Sequence, residues 1–125
     1  MNGTIFVYIG SIVITIWGIA HIIPTKSVVS GYGNLSVDNK RILIMEWVSE
    51  GLTLCFIGVL AFLTAALFGT SSAEARFLFR AFGVILLVMA FWTLITGART
   101  PKVVFRICPI AKSAVAVLFF IGSAV

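Results

Sequence analysis

Four long apolar stretches alternate with three more polar intervals along the chain, a pattern that predicts four membrane-spanning helices and little else. The first runs from about Thr4 to Ile23 and closes at Pro24, whose ring nitrogen carries no hydrogen to continue the ladder. The second covers about Ile42 to Phe68, the third about Ala73 to Gly97, and the fourth Val103 to Val125 with a break at Cys108-Pro109. Each is long enough for a hydrocarbon core of about 30 Å. The expected fold is all-α, a single transmembrane domain over residues 1–125 in which four helices form a bundle. The first span lacks a basic leader and a small-x-small cleavage site, so it is expected to be a retained helix.

The interruptions in the apolar pattern carry the candidate chemistry. Trp17 and His21 lie one turn apart at the end of the first span, where both suit the headgroup level. The connection from Pro24 to Lys40 is the only long one. Gly31, Tyr32, Gly33 and Asn34 form its turn-rich centre, Ser36 and Asp38 are candidate N-caps, and it is expected to lie at the membrane surface as a partial lid. In the second span Glu46 and Glu50 are at i and i+4 and therefore share a face, with Trp47 beside them. Two like charges one turn apart repel unless a cation lies close, and Lys112, Arg106 and Arg99 are the candidates for an ion pair. Glu50, the deeper of the two carboxylates, is the one whose burial in a membrane is costly enough to suggest function.

Ser71-Ser72-Ala73-Glu74 has the form of a capping box, with Ser71 as N-cap and Glu74 as its partner, so the third helix should begin near Ala73. Trp92, Thr93 and Thr96 come near its far end. For the last region two geometries compete. The expected one starts the helix at Pro109, leaves Pro101 to Cys108 along the surface and puts Lys112 in the first turn near the interface. The other starts at Val103 and carries Lys112 toward the membrane centre beside a proline kink. Gly10 and Gly18, Gly58 with Ala61, Ala65 and Gly69, and Gly83 with Ala90 and Gly97 make small-residue stripes suited to close helix contact.

Composition sharpens this reading. Of 125 residues 61% are apolar and only 10% charged, with a mean hydropathy of +1.18; a soluble domain has about a quarter of its residues charged. Connections this short exclude a nucleotide-binding fold or an extramembrane enzyme domain. The net charge of +5 points to lipid headgroups rather than nucleic acid, because the basic residues sit at helix ends and in loops. Lys26, Lys40, Arg41, Arg99, Lys102 and Arg106 fall in the first and third loops, against Arg76 and Arg80 on the other side. That bias predicts those loops in the cytoplasm and both termini on the non-cytoplasmic side. Cys55 and Cys108 have no Cys-x-x-Cys or zinc-like spacing and are expected to be small apolar fillers.

Trp17-Gly18-Ile19-Ala20-His21, followed by Glu50-Gly51-Leu52-Thr53-Leu54 and Phe56-Ile57-Gly58-Val59-Leu60, resembles the small four-helix DoxX-like membrane proteins. The resemblance covers about the first 70 residues; His21 and the long loop depart from it. It implies a four-helix bundle and a place in a redox assembly of a prokaryotic plasma membrane, some members being subunits associated with thiosulfate or quinone systems.

The expected role is a small accessory subunit without catalytic activity of its own, packing against other membrane subunits or copies of itself, and motivated by the small-residue stripes. One alternative is a proton- or cation-coupled transporter using Glu50. Another is a quinone- or metal-binding protein in which His21, Glu46 and Glu50 offer one nitrogen and two carboxylates, a set that suits iron or zinc. His21 could also supply one axial ligand to haem. With the predicted topology, His21, Glu46, Glu50, Arg99, Arg106 and Lys112, framed by Trp17, Trp47 and Trp92, converge in the cytoplasmic leaflet. No Ser/His/Asp order and no phosphate loop supports hydrolysis or phosphoryl transfer.

Overall fold

The computed structural model describes residues 3–125, and among them it contains helices and no strand. Four helices are long and apolar enough to cross a membrane, α1 (Gly3–Ile22), α3 (Val37–Phe68), α4 (Ala73–Ile95) and α5 (Val103–Ala124); a short helix, α2 (Thr25–Ser30), lies in the first loop. The chain is an integral membrane protein. A 3₁₀ turn over Gly97–Arg99 joins α4 to α5.

Each boundary has a local cause. Pro24 ends α1, and Thr25 Oγ1 donates to the orphan carbonyl of Ile22 at 2.6 Å. Ser36 is the N-cap of α3, accepting from the Asn39 amide at 3.2 Å, with Asp38 in the first turn. That cap starts the helix at Val37, five residues before the apolar pattern does, because the exposed turn needs no buried face once its end is satisfied. Gly69, with φ of 73°, closes α3 in a conformation that a Cβ disfavours. The N-cap of α4 is Ser72, which accepts from Ala75 N at 3.1 Å, and not Ser71. A one-residue shift leaves the helix start at Ala73 as expected.

The larger correction concerns α5. It runs unbroken from Val103 to Ala124 with Pro109 inside it, so it does not start at Pro109 and Pro101 to Cys108 is not wholly a surface segment. Pro109 is the seventh residue of α5, in its second turn, where its missing N–H leaves only the Phe105 carbonyl without its i+4 partner. Lys112 is thereby carried more than two turns into the helix and is fully buried.

The helices pack as an open ring. α1 runs antiparallel against α3 and also contacts α5, and α5 packs along α4, whereas α3 and α4 barely touch. Thr4 bonds Thr70 at 3.0 Å at one end of the bundle, where Arg80 Nε also donates to Ser123 Oγ at 3.3 Å. The α1–α3 seam is backbone on backbone: a Cβ on Gly18 would lie 2.7 Å from the Gly51 carbonyl oxygen, and one on Gly58 2.7 Å from that of Ser11. Gly83 is covered by the Phe120 ring and Gly10 by Phe119. Most of the small residues in the stripes that suggested a partner chain are thus covered within this one, Gly69 and Gly97 at the ends being only half-buried. Val7, Ile14, Leu54, Leu86, Val115 and Phe119 fill the centre, while Ile5, Ile9, Ile12, Ile16 and Ile19 form the outward face of α1.

Candidate functional site

At the end of the bundle opposite Thr4 and Thr70, four helices place polar side chains around one point. α5 contributes Lys112 and Cys108, which share a face at i and i+4. α3 contributes Glu50 and, one turn before it, Trp47; α1 ends in His21; α4 contributes Thr93. Lys112 has no exposed surface, and its ammonium donates to Glu50 Oε1 and, at 3.1 Å, to Thr93 Oγ1. An ammonium this deep requires a carboxylate partner. The Glu50 side chain keeps 29% of its surface exposed, so the pair is closed on the lysine side and open on the carboxylate side.

His21 is held from three directions. It is 3% exposed, its ring stacks on Trp47 at 4.8 Å between centroids, and Nδ1 lies 3.0 Å from the Trp17 carbonyl oxygen. A carbonyl can only accept, so Nδ1 carries the proton and Nε2 faces the cluster. Nε2 is 3.9 Å from Glu50 Oε1 and 3.8 Å from Cys108 Sγ, which is itself 3.8 Å from Glu50 Oε1. Trp47 Nε1 donates to the backbone oxygen of His21, one of the carbonyls left over at the end of α1. The buried Trp17 Nε1 has no hydrogen-bond partner among the described residues.

Glu50 and Lys112 face a groove of about 540 Å³ in the gap between α3 and α4. Val88, Met89, Trp92, Leu43 and Phe105 supply apolar walls; Thr93, Thr53 and Ser49 add hydroxyls. Tyr32, from the first loop, stands at its edge beneath Lys102, whose ammonium is 3.8 Å from the ring centroid and donates to the Gly31 carbonyl at 3.3 Å. Loss of solvent around the Tyr32 phenol pushes its pKa up from the ordinary value, so it remains a neutral donor at pH 7. The loop therefore reaches the groove at one residue instead of covering it as a lid.

Of the residues singled out in the sequence, His21, Glu50 and Lys112 meet directly, with Trp47 against them. Glu46 is exposed, one turn out on α3, and lines the groove without joining the cluster. The expected set of His21, Glu46 and Glu50 is thus replaced by His21, Glu50 and Cys108. Arg106 is exposed, donating from Nε to the Thr100 carbonyl at 3.3 Å, and Arg99 is exposed as well. Trp92 is 65% exposed on the groove wall. His21 is buried, and its Nε2 is enclosed by Cys108 and Glu50, which leaves no room for a haem at that nitrogen. Cys108 and Thr93 were not read as site residues; the i, i+4 relation of Cys108 to Lys112 is the signal, visible only if the helix passes through Pro109.

Comparison of the chain with protein-family models, with curated proteins and with solved structures gives no match.

Proposed function

We propose that this protein binds a lipid-soluble molecule with a compact carbonyl-bearing head, of the quinone class, in the groove between α3 and α4. The observation that carries the reading is the Glu50–Lys112–Thr93 array facing a groove whose other walls are largely apolar. Glu50, fixed by Lys112 and with 29% of its side chain exposed, is an acceptor for a hydroxyl, the Ser49 and Tyr32 hydroxyls at the groove are donors for a carbonyl oxygen, and the aromatic walls suit a flat ring. Because α3 and α4 barely touch, such a molecule passes sideways from the acyl chains without crossing a loop. The resemblance to DoxX-like proteins agrees with a quinone-linked setting in a prokaryotic plasma membrane, with the protein itself non-catalytic.

The six-to-two excess of basic residues in the first and third loops supports placing the cluster in the cytoplasmic leaflet with both termini on the other side. A second reading, an accessory subunit whose partner lays a helix into the same groove, is favoured by the open α3–α4 seam and by the small soluble mass. Copurification of a stoichiometric membrane partner would support it. Transport coupled to Glu50 draws less support, since the carboxylate is already held by Lys112.

The test is titration of a short-chain ubiquinone into the protein in nanodiscs, read by tryptophan fluorescence, since Trp47 and Trp92 line the groove. Saturable quenching at one equivalent is expected. The paired replacement Glu50→Gln with Lys112→Met removes both charges together and should weaken binding about tenfold or more, roughly 1.4 kcal/mol. Quenching that never saturates, or that is identical in the paired variant, overturns the reading.

A further inference from the structure

We infer that His21, Cys108 and Glu50 form a binding site for a zinc-class divalent cation, a site that goes beyond the groove reading and does not depend on it. The three candidate donor atoms, Nε2, Sγ and Oε1, stand at the corners of a nearly equilateral triangle with edges of 3.8, 3.8 and 3.9 Å. By plane geometry the centre of such a triangle lies about 2.2 Å from each corner, within the range of zinc bonds to sulfur, nitrogen and oxygen. Tetrahedral zinc with those bonds needs edges of about 3.3–3.7 Å, so the two edges to sulfur contract by about 0.2–0.3 Å and the nitrogen–oxygen edge by about 0.5–0.6 Å.

Two features independent of these distances favour a ligand here. The first is the histidine tautomer. Nδ1 donates to the Trp17 carbonyl, which leaves the Nε2 lone pair aimed at the triangle, and an anchored second nitrogen of this kind is the usual support of a metal-bound imidazole. Trp47, stacked on the ring and bonded to the His21 carbonyl, fixes its plane. The second is the burial of His21 and Cys108, at 3% and 2% exposure, which sets a nitrogen and a sulfur donor in a place sheltered from water beside a carboxylate. The donor set is borderline in softness, which suits zinc over magnesium or calcium.

Lys112 is the competitor, since its ammonium now occupies Glu50 Oε1. In the loaded site the cation takes that oxygen and the thiol releases its proton, while Lys112 keeps Thr93 and moves to the second carboxylate oxygen. Thiolate and carboxylate together offset the dication, and the loaded cluster keeps the single positive charge of Lys112. Three protein donors leave a fourth position for water.

Cobalt(II) is the probe. The full chain, purified in detergent with its metal removed by a chelator and reduced, is titrated with cobalt and followed by absorbance. One equivalent should produce a near-ultraviolet thiolate-to-cobalt band together with the visible bands of tetrahedral cobalt. Cys108→Ser abolishes the thiolate band, Cys55→Ser retains it, and His21→Gln weakens binding by more than the roughly 10- to 100-fold that loss of an outer-shell partner costs. X-ray absorption of the zinc-loaded unmodified protein needs no variant and should give one sulfur neighbour at about 2.3 Å with nitrogen or oxygen neighbours. Absence of the band, its persistence in Cys108→Ser, or a zinc shell without sulfur overturns the assignment. Neither His21 nor Cys108 lines the groove, so their variants leave quinone quenching in place and the two proposals fail separately.

Discussion

Lys112 and Glu50 differ in what their removal exposes. Replacing Lys112 with Ala leaves a carboxylate facing the bundle with only the Cys108 thiol and the His21 ring beside it, and breaking a buried pair this way typically costs 3–5 kcal/mol. Because Glu50 keeps 29% exposure to the groove, the low end applies, about 3 kcal/mol. Thermal unfolding of the detergent-solubilised variant, followed by helical circular dichroism, checks this, and the paired Glu50→Gln, Lys112→Met variant should recover most of the loss. Glu74→Gln is the contrast: Glu74 is exposed in the first turn of α4 and its change should stay within about 0.5 kcal/mol. The ion pair was among the partners expected for Glu50 from residue type alone. Which of Lys112, Arg106 and Arg99 filled the role was not, because the choice depends on whether α5 passes through Pro109.

At the scale of the helices, the glycines divide by what covers them. Gly18 and Gly51 set α1 and α3 backbone to backbone, so an added methyl meets backbone atoms that cannot move aside as a side chain can. Gly18→Ala is expected to cost about 1–3 kcal/mol, the usual penalty for overpacking. At Gly83 the neighbour is the end of the Phe120 ring, which can turn, and alanine's better helix preference of about 1 kcal/mol offsets the crowding. Gly83→Ala should therefore lie within about 1 kcal/mol of the unmodified protein in the same melt. The spacing of small residues in the sequence identified these contact faces. It could not tell a contact inside the chain from one with a partner, since both present the same stripe.

Four spanning helices put both termini on one side of the membrane, and the proposed orientation makes that side the non-cytoplasmic one. In a background lacking Cys55 and Cys108, a cysteine at Ser30 should react with an impermeant reagent only from the cytoplasmic face and one at Ser72 only from the opposite face. The reverse pattern would invert the orientation and carry the His21–Glu50–Lys112 cluster to the outer leaflet with it.

The number of spans, most of their limits and the Ser36 cap of α3 were legible in the amino-acid sequence, because hydrophobic length, proline and capping residues act within a few positions of themselves. Ser36 and the start at Ala73 were readable for that reason, as was the gathering of polar residues at one end. The membership of the site was decided by the tertiary structure. Carrying α5 through Pro109 put Cys108 and Lys112 on a single inward face, and packing α1 against both α3 and α5 brought His21 to them. The same arrangement held α3 apart from α4, which opened the groove beside Glu50 and left Glu46 on its rim. Such pairings join positions as many as 87 residues apart, from His21 to Cys108, and depend on how four helices rotate about their axes when packed. Local sequence patterns constrain that rotation only loosely in a membrane, where the outward face is as apolar as the interior.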